Sequence, residues 1–204
     1  FSLERVLGDA FIPGSVPKGF YGLSSGGGLS MGHSDALRTI KGVKDARQYT
    51  HASQPAIDRI KAGENPKLTP REMHWRDCYV VLENDNPDER KRVKNEIKTM
   101  KNYFEPYETM VAFVNQGQLN QLKGMPHDGV VITSGKTGKG NEAMIEYRNQ
   151  WASNPEATGS ILIACARACH KFNNEKKFGV YTMLDIPAAY FSPRSQEELL
   201  KDFM

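Results

Sequence analysis

The segment 73–82 constrains the fold more than any other part of the chain, because its residues alternate between polar and apolar. Successive side chains of a β-strand point to opposite faces of the sheet. Cys78 and Val80 therefore define an apolar face, and His74 and Arg76 lie on that same face. The pattern predicts a strand that directs a guanidinium toward the apolar side of its sheet.

Two interpretations of Arg76 remain open at this point. An unpaired buried charge costs several kcal/mol, so the guanidinium needs a partner or a place at the solvent rim. An internal ion pair or a strand end would satisfy it. A ligand carboxylate would also do so, since the planar fork of arginine donors suits a bidentate grip on a carboxylate.

Strands and helices are predicted in mixed order, which indicates the α+β class with a mixed β-sheet covered by helices. Ser34, Ser53 and Asn154 are predicted N-caps, and Ser195 with Glu198 a capping box. The predicted helices cover residues 1–10, 35–40, 54–62, 87–100, 155–172 and 196–204. The predicted strands cover residues 46–50, 75–82, 111–114, 130–133, 144–147 and 181–186.

Size and charge limit the organisation and the partners. With 204 residues, 39% of them hydrophobic, the chain suits one domain or two small lobes, with residues 23–28 as a glycine-rich hinge or exposed loop. A net charge of +3 without a block of basic residues does not indicate a nucleic-acid-binding surface. No apolar run is long enough for a membrane helix. The three cysteines form no CxxC pair, which fits a reducing, cytoplasmic setting.

Two glycine-rich stretches resemble phosphate loops but fail on their spacing. In Gly26–Gly32, Met31 occupies the position of the third glycine and no strand leads in. Gly135–Thr137 follows strand residues and fits a turn better. Cys165, Cys169 and His170 share one predicted helix without a second ligand cluster, so buried thiols are favoured over a metal site.

Three further polar residues lie where strands or helices begin or end. Thr50 ends a predicted strand, His127 precedes one, and Asn154 opens a helix whose free N–H groups attract carboxylates. Each also has an ordinary structural role, as a solvated strand end, a surface turn residue and a helix cap. The residues alone do not decide between these roles.

The chain resembles the meso-diaminopimelate dehydrogenases in blocks that follow the family's order over nearly its whole length. These blocks are Met31–Leu37, Gln48–Thr50, Arg76–Val81, Gly124–His127, Asn154–Glu156 and Tyr190–Pro193. The resemblance implies NADP-dependent oxidative deamination of the D-centre of meso-diaminopimelate. It also implies that residues 1–204 form the substrate-binding and dimerisation domain of a homodimer, with the helix 153–173 packed on the nucleotide-binding domain.

The resemblance also implies the roles of individual residues. Arg76, Thr50, His127 and Asn154 match positions that grip the carboxylate and amine of the L-centre, and Met31 and Gly32 match the loop that lines the pocket. Tyr21 falls near an aromatic wall of that pocket. The family's NADP-binding domain and the acidic residues at the reacting amine precede Phe1, so the chain as given is expected to be incomplete and its catalytic residues unknown.

Two departures from the family keep other functions open. Residues 23–27 look like an insertion that could shift Tyr21, and Asp128 replaces a common glycine beside His127. A non-catalytic module for amino-acid binding or dimerisation, and a dehydrogenase of another D-amino acid, are the alternatives. A panel of substrates tested on the full-length protein would separate them.

Overall fold

The computed structural model describes residues 2–15, 18–21, 28–29, 31–122 and 127–204. Its contacts divide the chain into two compact units, residues 3–153 and residues 154–204. The helices before residue 153 are α1 (Ser2–Phe11), α2 (Met31–Arg38), α3 (Gln54–Lys61), α4 (Pro70–Met73), α5 (Pro87–Thr99) and α6 (Gln116–Gln121). The helices after it are α7 (Asn154–Asn174), α8 (Ala188–Phe191) and α9 (Gln196–Phe203). The strands are β1 (Lys18–Tyr21), β2 (Gly28–Leu29), β3 (Val43–Ala52), β4 (His74–Leu82), β5 (Glu108–Phe113), β6 (Gly129–Lys136) and β7 (Glu142–Asn149).

A mixed sheet with the strand order β2-β3-β4-β5 carries the main core. β3 is antiparallel to β2 and to β4, whereas β4 and β5 are parallel. Because parallel neighbours need a crossover connection, α5 lies between β4 and β5 in the chain. The predicted α+β fold with a mixed sheet and helices is confirmed.

Residues at the amino end of helix α5 favour its formation, and the helix packs on one face of this sheet. The Asn86 side chain accepts hydrogen bonds from the backbone N–H groups of Asp88 and Glu89 at 3.1 and 3.0 Å, and Pro87 occupies the first turn. The core on this face draws residues from α2 and the turn after it, from α5 and the segment after it, and from the sheet: Leu37, Ile40, Ala46, Cys78, Val80, Val93, Ile97 and Phe104. Burial of this apolar surface stabilises the sheet.

A second sheet, antiparallel and ordered β1-β6-β7, has its own small core. Ile57 and Ile60 of α3 are buried together with Val130 and Ile132 of β6. Because α3 directly follows β3 in the chain, a strand of the first sheet is connected to the helix that packs on the second sheet.

The stretch Gly135–Thr137 ends β6 and enters a hairpin turn. The backbone N–H of Thr137 donates to the carbonyl oxygen of Asn141 at 2.9 Å, and that of Gly140 donates to the carbonyl oxygen of Thr137 at 2.8 Å. The interpretation of this stretch as a turn after a strand is confirmed. The predicted hinge at residues 23–28 falls, except for Gly28, outside the described residues.

The unit from residue 154 onward consists of α7, α8 and α9 with an irregular segment between α7 and α8. The buried ring of Phe172 stacks on Tyr181 with 4.4 Å between centroids and lies 5.2 Å from the ring of Tyr190. The predicted capping box of Ser195 and Glu198 opens α9. Among the described helices, α7 included, none is both long and apolar enough to cross a membrane.

Three local predictions are wrong. The predicted strand 181–186 is a turn, in which the Asp185 carboxylate accepts hydrogen bonds from the N–H and the hydroxyl of Thr182, both at 2.7 Å. Ser34 is not an N-cap, because α2 already begins at Met31. The thiols of Cys165 and Cys169, predicted to be buried, belong to a half-buried and an exposed residue of α7.

Gly135→Ala should destabilise the fold, because an added Cβ would lie 2.7 Å from Cγ2 of the buried Ile12. Ile12 is branched at Cβ and has little rotameric freedom to move away. Chemical denaturation should show a loss of about 1–3 kcal/mol in the free energy of unfolding. The control Gly138→Ala places its Cβ more than 4 Å from any neighbour, and equal losses in the two variants would contradict this explanation.

Candidate functional site

Strand β4 carries Arg76 into the interior of the larger unit. Buried and half-buried residues alternate along the strand, with Trp75 and Asp77 on the opposite face from Arg76. The Arg76 side chain shares its face with Cys78 and is only 5% exposed. The inward direction predicted from the alternating sequence is confirmed.

The Arg76 guanidinium lies against aromatic rings, and no ion pair to a carboxylate is recorded for it among the described residues. Its Cζ atom lies 3.9 Å from the centroid of the Tyr107 ring and 5.8 Å from that of Phe104. Within the described part of the chain, Nε and Nη1 are buried without a hydrogen-bond partner. Burial lowers the pKa of Arg76, while the Tyr107 phenol acts in the opposite direction. An arginine stays protonated under such conditions, so the site holds a buried cation with free donors.

Thr50 lies directly opposite Arg76, in register between β3 and β4. Its hydroxyl accepts a hydrogen bond from Nε2 of the buried Gln48 at 3.0 Å. The Gln48 backbone N–H donates to the Ser34 hydroxyl at 3.0 Å, which joins α2 to the sheet. Gln48 was not predicted as a site residue, although its position two residues before Thr50 places it on the same face.

Two histidines complete the surroundings of Arg76. The ring of His74 lies 4.7 Å from Tyr107, and the ring of His33 lies 5.8 Å from Phe104. Burial, together with the nearby charge of Arg76, lowers the pKa of each histidine to about 4. Both are therefore neutral near pH 7, and Arg76 is the charged member of the cluster.

The residues of the predicted pocket loop lie at the start of α2, next to the β2 end of the sheet. Gly28 of β2 pairs with Thr50. Gly32 is exposed, and an added Cβ there would meet no atom within 4 Å. The side chains of Met31 and Tyr21 lie outside the described residues, but the backbone of Tyr21 pairs with Gly129 in the second sheet.

His127 lies immediately before β6, in the second sheet. Its backbone N–H donates to the carbonyl oxygen of Trp151 at 2.7 Å, and its side chain is half-buried. The neighbouring Asp128 is buried, and its Oδ1 has no hydrogen-bond partner in the described part of the chain. The structure therefore pairs Thr50 with Arg76, and it records no contact of His127 with either of them among the described residues.

Asn154 belongs to the C-terminal unit and is the first residue of α7, so the helix begins one residue earlier than predicted and Asn154 lies inside it rather than at the cap position. Its Oδ1 accepts a hydrogen bond from the Thr158 hydroxyl at 3.4 Å. The side chain therefore lies at the amino end of a helix of 21 residues, where backbone N–H groups attract anions.

This arrangement is suited to holding an anion rather than to nucleophilic attack. Burial raises the pKa of the Cys78 thiol to about 12, so this cysteine stays protonated and unreactive. Within the described residues, no group of three His, Cys, Asp or Glu side chains is arranged to hold a metal ion. The Cys165 thiol instead lies 3.9 Å from the sulfur of Met183.

Comparison of the sequence with known proteins gives one consistent family. The model of the diaminopimelic acid dehydrogenase C-terminal domain matches residues 1–153. A meso-diaminopimelate D-dehydrogenase of Lysinibacillus sphaericus is 44% identical over 207 residues, which cover 100% of this chain and 61% of the relative. Its counterpart from Ureibacillus thermosphaericus is 45% identical over 205 residues, with the same two coverages.

Solved structures agree with the sequence matches. The diaminopimelate (DAP) dehydrogenase of Corynebacterium glutamicum in complex with DAP matches with a TM-score of 0.91 and 36% identity, covering 100% of this chain and 61% of that one. An engineered D-amino acid dehydrogenase bound to NADP+ matches with a TM-score of 0.89 and 35% identity, covering 100% and 62%. The chain spans about 60% of the length of the curated relatives it matches.

The stability of the protein should fall as the pH drops from about 6.5 toward about 4. The pKa of His33 and of His74 is near 6.5 in the unfolded chain and about 4 in the folded protein. The unfolded chain therefore binds more protons within this window, and stability rises with pH through it.

His33→Phe should reduce this pH dependence, because the phenyl ring keeps the contacts with Tyr103 and Phe104 but binds no proton. Urea denaturation at about pH 7 and about pH 4.5 measures the difference. His170→Gln alters an exposed histidine in the other unit and serves as the control. A pH dependence of His33→Phe equal to that of the wild type would refute this assignment.

Proposed function

Because this chain belongs to the diaminopimelate dehydrogenase family and matches its C-terminal domain, we propose that it forms the substrate-binding part of an NADP-dependent meso-diaminopimelate D-dehydrogenase. Such an enzyme acts by oxidative deamination of the D-centre, in diaminopimelate and lysine metabolism. The observation that carries the proposal is the buried Arg76, whose Nε and Nη1 have no partner among the described residues.

The substrate that fits this site carries a carboxylate. A carboxylate that accepts from a free donor of Arg76 would offset the burial of the guanidinium charge. The Thr50 hydroxyl lies in the opposing register position and could donate to the same group. His127 and Asn154 supply further polar groups for the L-centre, and Met31, Gly32 and Tyr21 line the pocket in this proposal.

Holding the L-centre determines which end of the substrate reacts. The two ends of meso-diaminopimelate bear the same functional groups and differ only in configuration, so holding one end in a defined place selects the amine that reacts. Fixing one end leaves the D-centre at contact distance from the nicotinamide, which hydride transfer requires. NADP+, held by the family's cofactor domain, would accept that hydride.

Gly135–Thr137 enters a hairpin turn, and the proposal assigns the binding of NADP+ to the family's cofactor domain. In the proposed enzyme, the helix 153–173 packs on the cofactor domain. The exposed apolar residues Ile161, Leu162 and Ile163 of α7 support this assignment. A cytoplasmic location accords with three cysteines that are all free thiols.

A dehydrogenase of another D-amino acid is the second candidate, favoured by the similarity to the engineered D-amino acid dehydrogenase. A D-amino acid with an apolar side chain would leave the buried guanidinium without a partner, whereas diaminopimelate offers a second carboxylate. Turnover of a panel of D-amino acids by the full-length protein separates these candidates.

Arg76→Met should weaken diaminopimelate binding by about 2–5 kcal/mol, because a charge-assisted bidentate pair is lost. Calorimetry and kcat/KM of the full-length protein measure this loss. The free energy of unfolding should stay unchanged or rise slightly, since a buried charge is replaced by an apolar side chain.

The control Arg148→Met removes an exposed arginine paired with Glu146 and should leave binding unaltered. An Arg76→Met variant that melts several degrees lower yet binds diaminopimelate normally would show that Arg76 is only structural.

The protein should be a homodimer, because β7 pairs only with β6 among the described strands and so offers an edge to a second copy. Met144 of β7 is 52% exposed, and Ile145 and Tyr147 are half-buried. Light scattering should give twice the monomer mass, and Met144→Glu should shift the equilibrium toward monomer. A monomer at high concentration of the wild type would disprove this assembly.

A further inference from the structure

The ring of Tyr107 occupies the place beside Arg76 where a buried cation ordinarily has a carboxylate. The Cζ atom of Arg76 lies 3.9 Å from the centroid of that ring, well within the distance of a cation–π interaction. No salt bridge of Arg76 is recorded in the described part of the chain. The positive charge thus rests on a neutral aromatic face.

An aromatic partner and a carboxylate partner of Arg76 would affect the binding of a carboxylate ligand differently. A carboxylate side chain would engage the N–H donors of the fork and would repel a second carboxylate. An aromatic face holds the plane of the guanidinium through its π electrons, and Nε and Nη1 remain available.

Tyr107 is itself held in place by its neighbours. Its backbone N–H donates to the carbonyl oxygen of Phe104 at 3.0 Å, and its carbonyl oxygen accepts from the Thr109 hydroxyl at 3.4 Å. Thr109 lies in register with Arg76 across the parallel pair of β4 and β5. The ring of His74, 4.7 Å away, packs on Tyr107.

From these contacts we propose that Tyr107 is a positioning residue of the dehydrogenase, which orients the Arg76 fork toward the distal carboxylate of the substrate and leaves Nε and Nη1 available. This inference rests on the proposed function. Tyr107 acts through Arg76 and does not touch the reacting atoms. Its contribution should therefore appear in substrate affinity and should depend on the presence of Arg76.

A double-mutant cycle in the full-length protein tests this dependence. Tyr107→Leu should raise the KM for diaminopimelate by about tenfold or more, the size expected for a desolvated cation–π contact, and leave the KM for NADP+ unchanged. In the Arg76→Met background the same substitution should have little further effect. Tyr107→Phe, which keeps the ring, should retain most of the affinity.

Tyr103→Leu is the matched control, because this ring belongs to the same segment and contacts His33 and Phe104. It should leave the KM for diaminopimelate near the wild-type value. Should Tyr107→Leu fail to fold, mono-, di- and trifluorinated phenylalanine at position 107 keep the shape of the ring while weakening its π electrons. The KM should then rise with each added fluorine.

Equal losses from Tyr107→Leu with and without Arg76, or a KM that is independent of fluorination, would overturn the positioning role. A wild-type protein that neither binds nor oxidises diaminopimelate would instead refute the proposed function, and this inference with it. Normal turnover that does not depend on the ring would refute the inference alone.

Discussion

Burial of the Arg76 guanidinium is the constraint around which the larger unit is arranged. A desolvated cation costs several kcal/mol unless neighbouring groups stabilise it. Among the described residues, an aromatic ring, two neutral histidines and the polar residues of β3 surround it, in place of an opposite charge. Each of these neighbours comes from a different segment, so the site exists only when α2, β3, β4 and the turn before β5 are assembled.

The same face of the sheet changes from polar to apolar along β4. Arg76 lies near the start of the strand, whereas Cys78 and Val80 extend into a core closed by α2 and α5. This apolar end gives the sheet its rigidity, because the buried side chains interlock with those of the helices. A rigid strand in turn keeps the guanidinium in one orientation, as a binding site requires.

Periodicity in the sequence was sufficient to predict β3, β4 and β5 of the main sheet and the inward direction of Arg76, but not the two-residue strand β2. It could not predict Tyr107, since this residue lies in an irregular segment whose position depends on tertiary packing. The apolar residues 181–186 suggested a strand, but Tyr181 instead stacks on Phe172 of α7 and Thr182 closes a turn with Asp185. Ser34 resembled a helix cap because serine commonly precedes a helical pattern. Its hydroxyl instead accepts a hydrogen bond from the backbone N–H of Gln48, a contact that only the folded chain reveals.

The pairing of β1 with β6 has a consequence for how the chain folds. Lys18 pairs with Ile132, so this pairing closes a loop of more than about a hundred residues. The loop includes the entire four-stranded sheet. Contacts this distant in sequence form late and slow the folding rate. During synthesis, β1 leaves the ribosome before β6 and cannot pair with it until β6 has also emerged. The antiparallel sheet can therefore form only after every residue between β1 and β6 has been synthesised.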